Sequence, residues 1–177
     1  MLMHQICQCC DVGDTYYIES ALRLHMSPGV PIMKSNDLVN WKLVNYAYDT
    51  LANIPTMNLD DGKNTYGRGS WASCLRYHEG VYYLSTFRSD YGQDIFFIPL
   101  KNLEKGPWKC TEFSPAYHDH SFFFDEDGHI YMIYGNGKLF LAELKPDLSG
   151  VKPGTERVLI ENASAPAGDN IMLGAEG

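Results

Sequence analysis

No apolar run in this 177-residue chain approaches the roughly 20 residues that cross a bilayer as a helix. Basic residues are scarce: 14 Lys and Arg stand against 22 Asp and Glu, a formal charge of −8, with no Lys/Arg cluster. That balance lacks the electrostatic footprint for nucleic acid or an anionic membrane, so neither is an expected partner. A sustained 3.6-residue apolar period is missing, and so are capped apolar stripes, which excludes a helical bundle. The five cysteines are odd in number and three crowd into positions 7–10, so no disulfide framework follows. His4, Cys7, Cys9 and Cys10 have no second ligand pair at finger-like spacing, and no metal is expected there. The Asp60–Gly62 stretch lacks the acidic spacing of an EF-hand loop. Neither a serine nucleophile elbow nor a phosphate-binding glycine loop is present, and no cofactor is implied. The start, MLMHQICQCC, has neither the basic region nor the long apolar core of a signal peptide, and the sequence assigns no location.

What the chain does have is aromatic residues in short runs. Twelve Tyr, eight Phe and three Trp favour strands. The clearest unit is Tyr117–Tyr134, YHDHSFFFDEDGHIYMIY. It reads as a strand at Ser121–Phe124, a turn at Asp125–Gly128 that ends in Asp-Gly, and a second strand from His129. The same order recurs: strand, glycine-containing hairpin, aromatic strand, third strand, a turn with Asp/Asn-Leu, fourth strand. Its hairpin glycines are Gly13, Gly80 and Gly128. The wider first interval reflects a long loop over residues 49–70, the kind of segment that often carries function. Four strands in a repeat of about 40–50 residues mark a β-propeller blade. The reading is therefore an all-β propeller, with a β-sandwich as the alternative. Residues 1–48, 71–114 and 119–163 make about three blades, and 164–177 resemble the approach to a fourth. Three blades do not close a ring, so the expectation is part of a larger propeller domain.

In a propeller the entries to the first strands converge at one end of the axis. Those entries here are Trp71, Asp119 and Glu176. Two carboxylates and an indole facing one pocket suit a sugar: one acid protonates a leaving oxygen, another tunes it, and the indole packs on the ring. Taken singly, each has a plainer reading. Asp119 is a turn former, Trp71 a core residue and Glu176 a solvated one. His118 and His120 flank Asp119, either as metal ligands or, as we favour, as its hydrogen-bonding surroundings.

The motifs VGDTYYI (12–18), HMSPGVPIMKSNDLVNW (25–41), GRGSWASCLRYHEGVYY (67–83), EKGPW (104–108), HDHSFFFDEDGHIYMIYGNG (118–137) and GAEG (174–177) together resemble glycoside hydrolase family 43, the β-xylosidase and α-L-arabinofuranosidase family. The resemblance implies a five-bladed propeller and hydrolysis with inversion by three carboxylates. It implies that Glu176 is the general acid, that Asp119 orients the acid and raises its pKa, and that Trp71 contributes to the sugar pocket. His120, His25 and Arg68, within the same motifs, are expected at the substrate. The family's general base sits seven residues before the glycine matched by Gly13, which is Ile6 here; Asp11 is out of register by five. The expectation is thus a non-matching segment at 1–11 and a partial propeller catalytic domain over 12–177, incomplete at both ends. The expectation is that the base is absent and that this chain alone is inactive. The expected partner is a plant cell-wall oligosaccharide or polysaccharide. The competing readings are a non-catalytic carbohydrate-binding propeller and an unrelated β-rich interaction domain.

Overall fold

A computed structural model of the protein describes residues 8–20, 29–50, 53–66, 70–88, 95–105, 111–113, 115 and 117–165. Among these the secondary structure is nearly all strand. Twelve strands form three antiparallel four-stranded sheets, each in simple sequential order. The first holds β1 (Gln8–Val12), β2 (Thr15–Glu19), β3 (Gly29–Ser35) and β4 (Lys42–Tyr48). The second holds β5 (Ser70–His78), β6 (Val81–Arg88), β7 (Ile95–Leu100) and β8 (Thr111–Phe113). The third holds β9 (Ser121–Phe124), β10 (Ile130–Asn136), β11 (Lys138–Glu143) and β12 (Arg157–Ile160). The first strands lie side by side, β1 against β5 and β5 against β9. These are three consecutive blades of a β-propeller, as the repeat predicts. β1 runs back to Gln8, across the boundary that the motifs place after residue 11.

The glycine repeat has a backbone cause. Gly13, Gly80 and Gly128 sit in the turns between first and second strands with φ of 62°, 81° and 84°. A side chain there meets the steric cost of the left-handed region, and tight hairpin turns need that region. In the third blade the turn is braced further. Gly128 N donates to Asp125 O at 3.0 Å, and Asp127 Oδ1 accepts from His129 N at 3.1 Å. Ile130 is thereby set opposite Phe124.

The 49–70 loop is more structured than its composition suggests. A one-turn helix, α1, spans Pro55–Asn58, and a 3-10 turn follows at Asp60–Gly62. Pro55 opens the helix, where its missing N–H costs nothing. Leu59, left-handed at φ 61°, closes it by returning its N–H to the Pro55 carbonyl. Met57 anchors the turn, buried, with the Thr65 hydroxyl on its sulfur at 3.6 Å.

The core lies between blades, in two separate clusters. Val30, Ile32, Ala47 and Tyr48 of the first blade pack on Leu75, Tyr82, Leu84 and Leu103 of the second. Cys74 of the second packs with Phe122, Met132, Tyr134 and Ala142 of the third. Neighbouring residues Cys74 and Leu75 thus face opposite blades, the period-two consequence of a strand. Burying each large aliphatic side chain contributes about 1.5–3 kcal/mol.

Candidate active site

The inner strands all enter from one end. Gln8 at the start of β1 pairs with Glu19 at the end of β2, away from the Gly13 turn. Ser70 and Trp71 open β5, and Asp119 lies two residues before the start of β9. These ends form one face of the propeller, opposite the three glycine hairpins. Asp11 lies near the hairpin end of β1, exposed and paired with Tyr16, so it stands apart from this face.

Trp71 reaches the site through an irregularity of β5. Ser70 pairs with Arg88 and Ser73 with Thr86, so one extra residue bulges out between them. Strict alternation would put Trp71 on the same side as Leu75, toward the first blade. The bulge instead sends its half-buried ring to the cluster shared with the third blade. The Thr86 hydroxyl holds the bulge by donating to the Trp71 carbonyl at 2.9 Å. The indole meets the His118 ring edge-on, with centroids 6.4 Å apart.

Asp119 sits in a turn, not on the strand. Its backbone is left-handed, φ 43°, a region that costs a non-glycine residue of order 1 kcal/mol but that Asp tolerates better than most. Only 8 % of the residue is exposed. One carboxylate oxygen, Oδ2, lies 3.4 Å from His118 Nδ1. The other, Oδ1, is buried without a hydrogen-bond partner among the described residues. A desolvated acceptor of this kind costs about 1–3 kcal/mol, and such costs gather at functional sites.

His120 is fixed on both sides of its ring, and 2 % of it is exposed. Nδ1 lies 3.1 Å from the Tyr117 carbonyl and Nε2 lies 2.6 Å from Ser85 Oγ. A carbonyl only accepts, so Nδ1 carries the proton and the Ser85 hydroxyl donates to Nε2. Burial pushes the ring's pKa down to about 4, which keeps it neutral. His120 therefore acts within the protein in this arrangement, with both nitrogens already engaged, while His118 is more exposed and adjoins both Trp71 and Asp119.

Beneath the same face lies Glu19, fully buried, whose carboxylate accepts from Ser73 Oγ across the junction of the first two blades. The sequence reading passed over Glu19 and Ser85. The signal for Glu19 is an acid closing the apolar run Tyr-Tyr-Ile-Glu; a serine inside Val-Tyr-Tyr-Leu-Ser-Thr carries none. Trp71, Asp119 and His120 are brought together with His118. Glu176, His25, Arg68 and the Ile6 position lie outside the described residues. Among those described, no cluster of three or more metal-ligating side chains occurs.

The chain is similar to solved structures and to curated sequences. The chain superposes on a bifunctional GH43-CE protein of Bacteroides eggerthii with a TM-score of 0.86 and 86% identity, covering 93% of this chain and 21% of that one. It is 39% identical over 122 residues to a beta-xylosidase of Formosa agariphila, covering 67% of this chain and 20% of the relative. It is 36% identical over 101 residues to a non-reducing end alpha-L-arabinofuranosidase of Bacteroides ovatus, covering 56% and 18%. The chain thus spans about a fifth of the length of these relatives. The profile of glycosyl hydrolases family 43 matches residues 5–171, nearly the whole sequence, and the chain belongs to that family.

Proposed function

We propose that this chain forms part of a glycosidase that hydrolyses xylose- or arabinose-containing plant glycans with inversion. The observation that carries the reading is Asp119, with a buried, unpartnered carboxylate oxygen at the convergence of the inner strands, beside His118 and Trp71. In this reading Glu176 is the general acid. The Asp119 negative charge disfavours ionisation of Glu176, keeps it protonated near neutral pH and orients it toward the leaving oxygen. Trp71 offers an apolar face to the sugar ring, with His25, Arg68 and the His118–His120 turn around it. Inversion needs a base on the far side of the sugar, roughly 6.5–9.5 Å from the acid, with room for a water. The position that the family motif assigns to it is Ile6, whose side chain cannot take a proton. The domain we assign to this work includes β1 and so reaches back at least to Gln8.

That isoleucine also favours a second reading, a propeller that binds glycan ends without cleaving them. Hydrolysis of aryl xylosides and arabinofuranosides separates the two, measured on the complete protein carrying this chain and on its Ile6→Asp variant. The hydrolase reading with Ile6 at the base position expects little turnover from the first and a gain from the second. In whichever background turns over, Asp119→Asn is expected to lower kcat about 100-fold or more on poor leaving groups. Full turnover by the Asn variant would remove Asp119 from the mechanism. Glycan binding without turnover in either background would favour the binding module.

A further inference from the structure

The Tyr117–His120 turn is pinned from both neighbouring elements. Gly135 N, on β10 of the same blade, donates to the His118 carbonyl at 3.0 Å. The Tyr117 carbonyl accepts from His120 Nδ1, and the His120 ring is then caught by Ser85 on β6 of the second blade. A second strut crosses the same junction one residue later, where Arg76 Nη2 donates to Ser121 Oγ at 2.7 Å. Between these pins stands Asp119, in a left-handed backbone that the chain does not adopt cheaply, with a desolvated oxygen left open. A conformation of that kind persists only where its surroundings over-determine it.

We propose that Ser85 and His120 are positioning residues: the hydrogen-bonded chain Ser85–His120–Tyr117 carbonyl, spanning two blades, holds the Asp119 turn left-handed and fixes where its carboxylate points. This rests on the reading of Asp119 as a carboxylate of the hydrolytic site. Neither residue touches the reacting atoms in this view. Ser85 sits on the second strand of a different blade, so it couples the placement of one blade's carboxylate to its packing against the next. The neutral ring suits the task. It donates from one nitrogen and accepts at the other, a pairing that neither a protonated histidine nor the opposite tautomer provides.

The test is Ser85→Ala, which removes one oxygen and leaves the buried volume nearly intact, with Ser85→Thr as the variant that keeps the hydroxyl. Both are made in the complete protein, in whichever of the Ile6 and Ile6→Asp backgrounds turns over, beside Asp119→Asn. Ser85→Ala is expected to lower kcat about tenfold with KM within about twofold, since a displacement of about 1 Å at a catalytic group can cost up to 100-fold. Ser85→Thr is expected to restore the rate. Crystal structures of the two variants should show the Asp119 backbone or carboxylate displaced in Ser85→Ala and in place in Ser85→Thr. An Ala variant with a lowered thermal midpoint, an unmoved Asp119 and an unchanged kcat would reduce the pair to packing and overturn the proposal. If Asp119→Asn turns over normally, the hydrolytic reading of Asp119 fails, while the crystallographic displacement still decides whether Ser85 holds the turn. The same displacement decides it if neither background turns over.

Discussion

His120 shows how one buried side chain ties stability to pH. Its folded-state pKa is lowered to about 4 by burial, against about 6.5 in an unfolded chain. Between those values the unfolded chain binds the proton and the folded one does not. Stability therefore falls as pH drops through 6.5, and the loss levels off near pH 4. Its full size is about 3 kcal/mol. Denaturant unfolding at pH 7, 5.5 and 4.5 measures it, and His120→Gln should flatten that part of the profile while lowering stability at pH 7. A slope unchanged by the substitution would mean that the ring is not the group responsible. Cys74 is held in the same way, its thiol raised by burial to about 11, so it behaves as a small apolar core residue at neutral pH.

Single elements are tuned by departures from their own regularity. The bulge in β5 re-aims Trp71, and the turn before β9 puts Asp119 off the strand. A third departure is the turn after β7, which reaches out of its own blade. Leu103 inserts into the core shared with the first blade, 1 % exposed, and its carbonyl accepts from Asn45 Nδ2 at 3.4 Å. Beside it Glu104 pairs with Lys34 of β3 at 2.6 Å and accepts from the Tyr17 hydroxyl at 3.2 Å. The Lys34 hydrogen bond is the main cause that holds the Glu104 carboxyl below its usual range. Both partners are about one-third exposed, so solvent screens the pair and it contributes little beyond registering the turn. Leu103 is the stronger anchor. Leu103→Ala is expected to cost about 2–4 kcal/mol, read as a lower denaturant midpoint with an unchanged slope, whereas Glu104→Gln should change the midpoint far less.

At the scale of the molecule the second blade is the keystone of the described part, because it is buried on both faces. Leu75, Tyr82 and Leu84 look to the first blade, and Cys74 and Tyr83 to the third. The two clusters share no residue. Leu103→Ala in one and Met132→Ala in the other should therefore add in their effects on unfolding free energy to within about 0.5 kcal/mol. A larger coupling would show that strain passes through the β5–β6 hairpin from one junction to the other. The functional face depends on the same stacking, since Trp71 comes from one blade and Asp119 from the next.

Much of this was legible in the linear sequence, for local reasons. Period-two alternation, Asp-Gly and Gly turns and their recurrence define strands and hairpins through the backbone preferences of a few residues, and β9 falls where those signals place it. The convergence of Trp71 and Asp119 also follows, because a repeated unit puts equivalent positions at one end of the axis. The short helix at Pro55–Asn58 was missed, because its closure rests on a left-handed leucine and on the burial of Met57, and neither has a compositional signature. The bulge that turns Trp71, the clamp on His120 from Ser85 and the buried Glu19–Ser73 bond were decided only by tertiary structure. The clamp and the Glu19–Ser73 bond each join two blades, and the bulge decides which blade's cluster Trp71 packs against. A polar residue inside an apolar strand reads the same in sequence whether it meets water or a partner; only the packing of one blade on the next determines which.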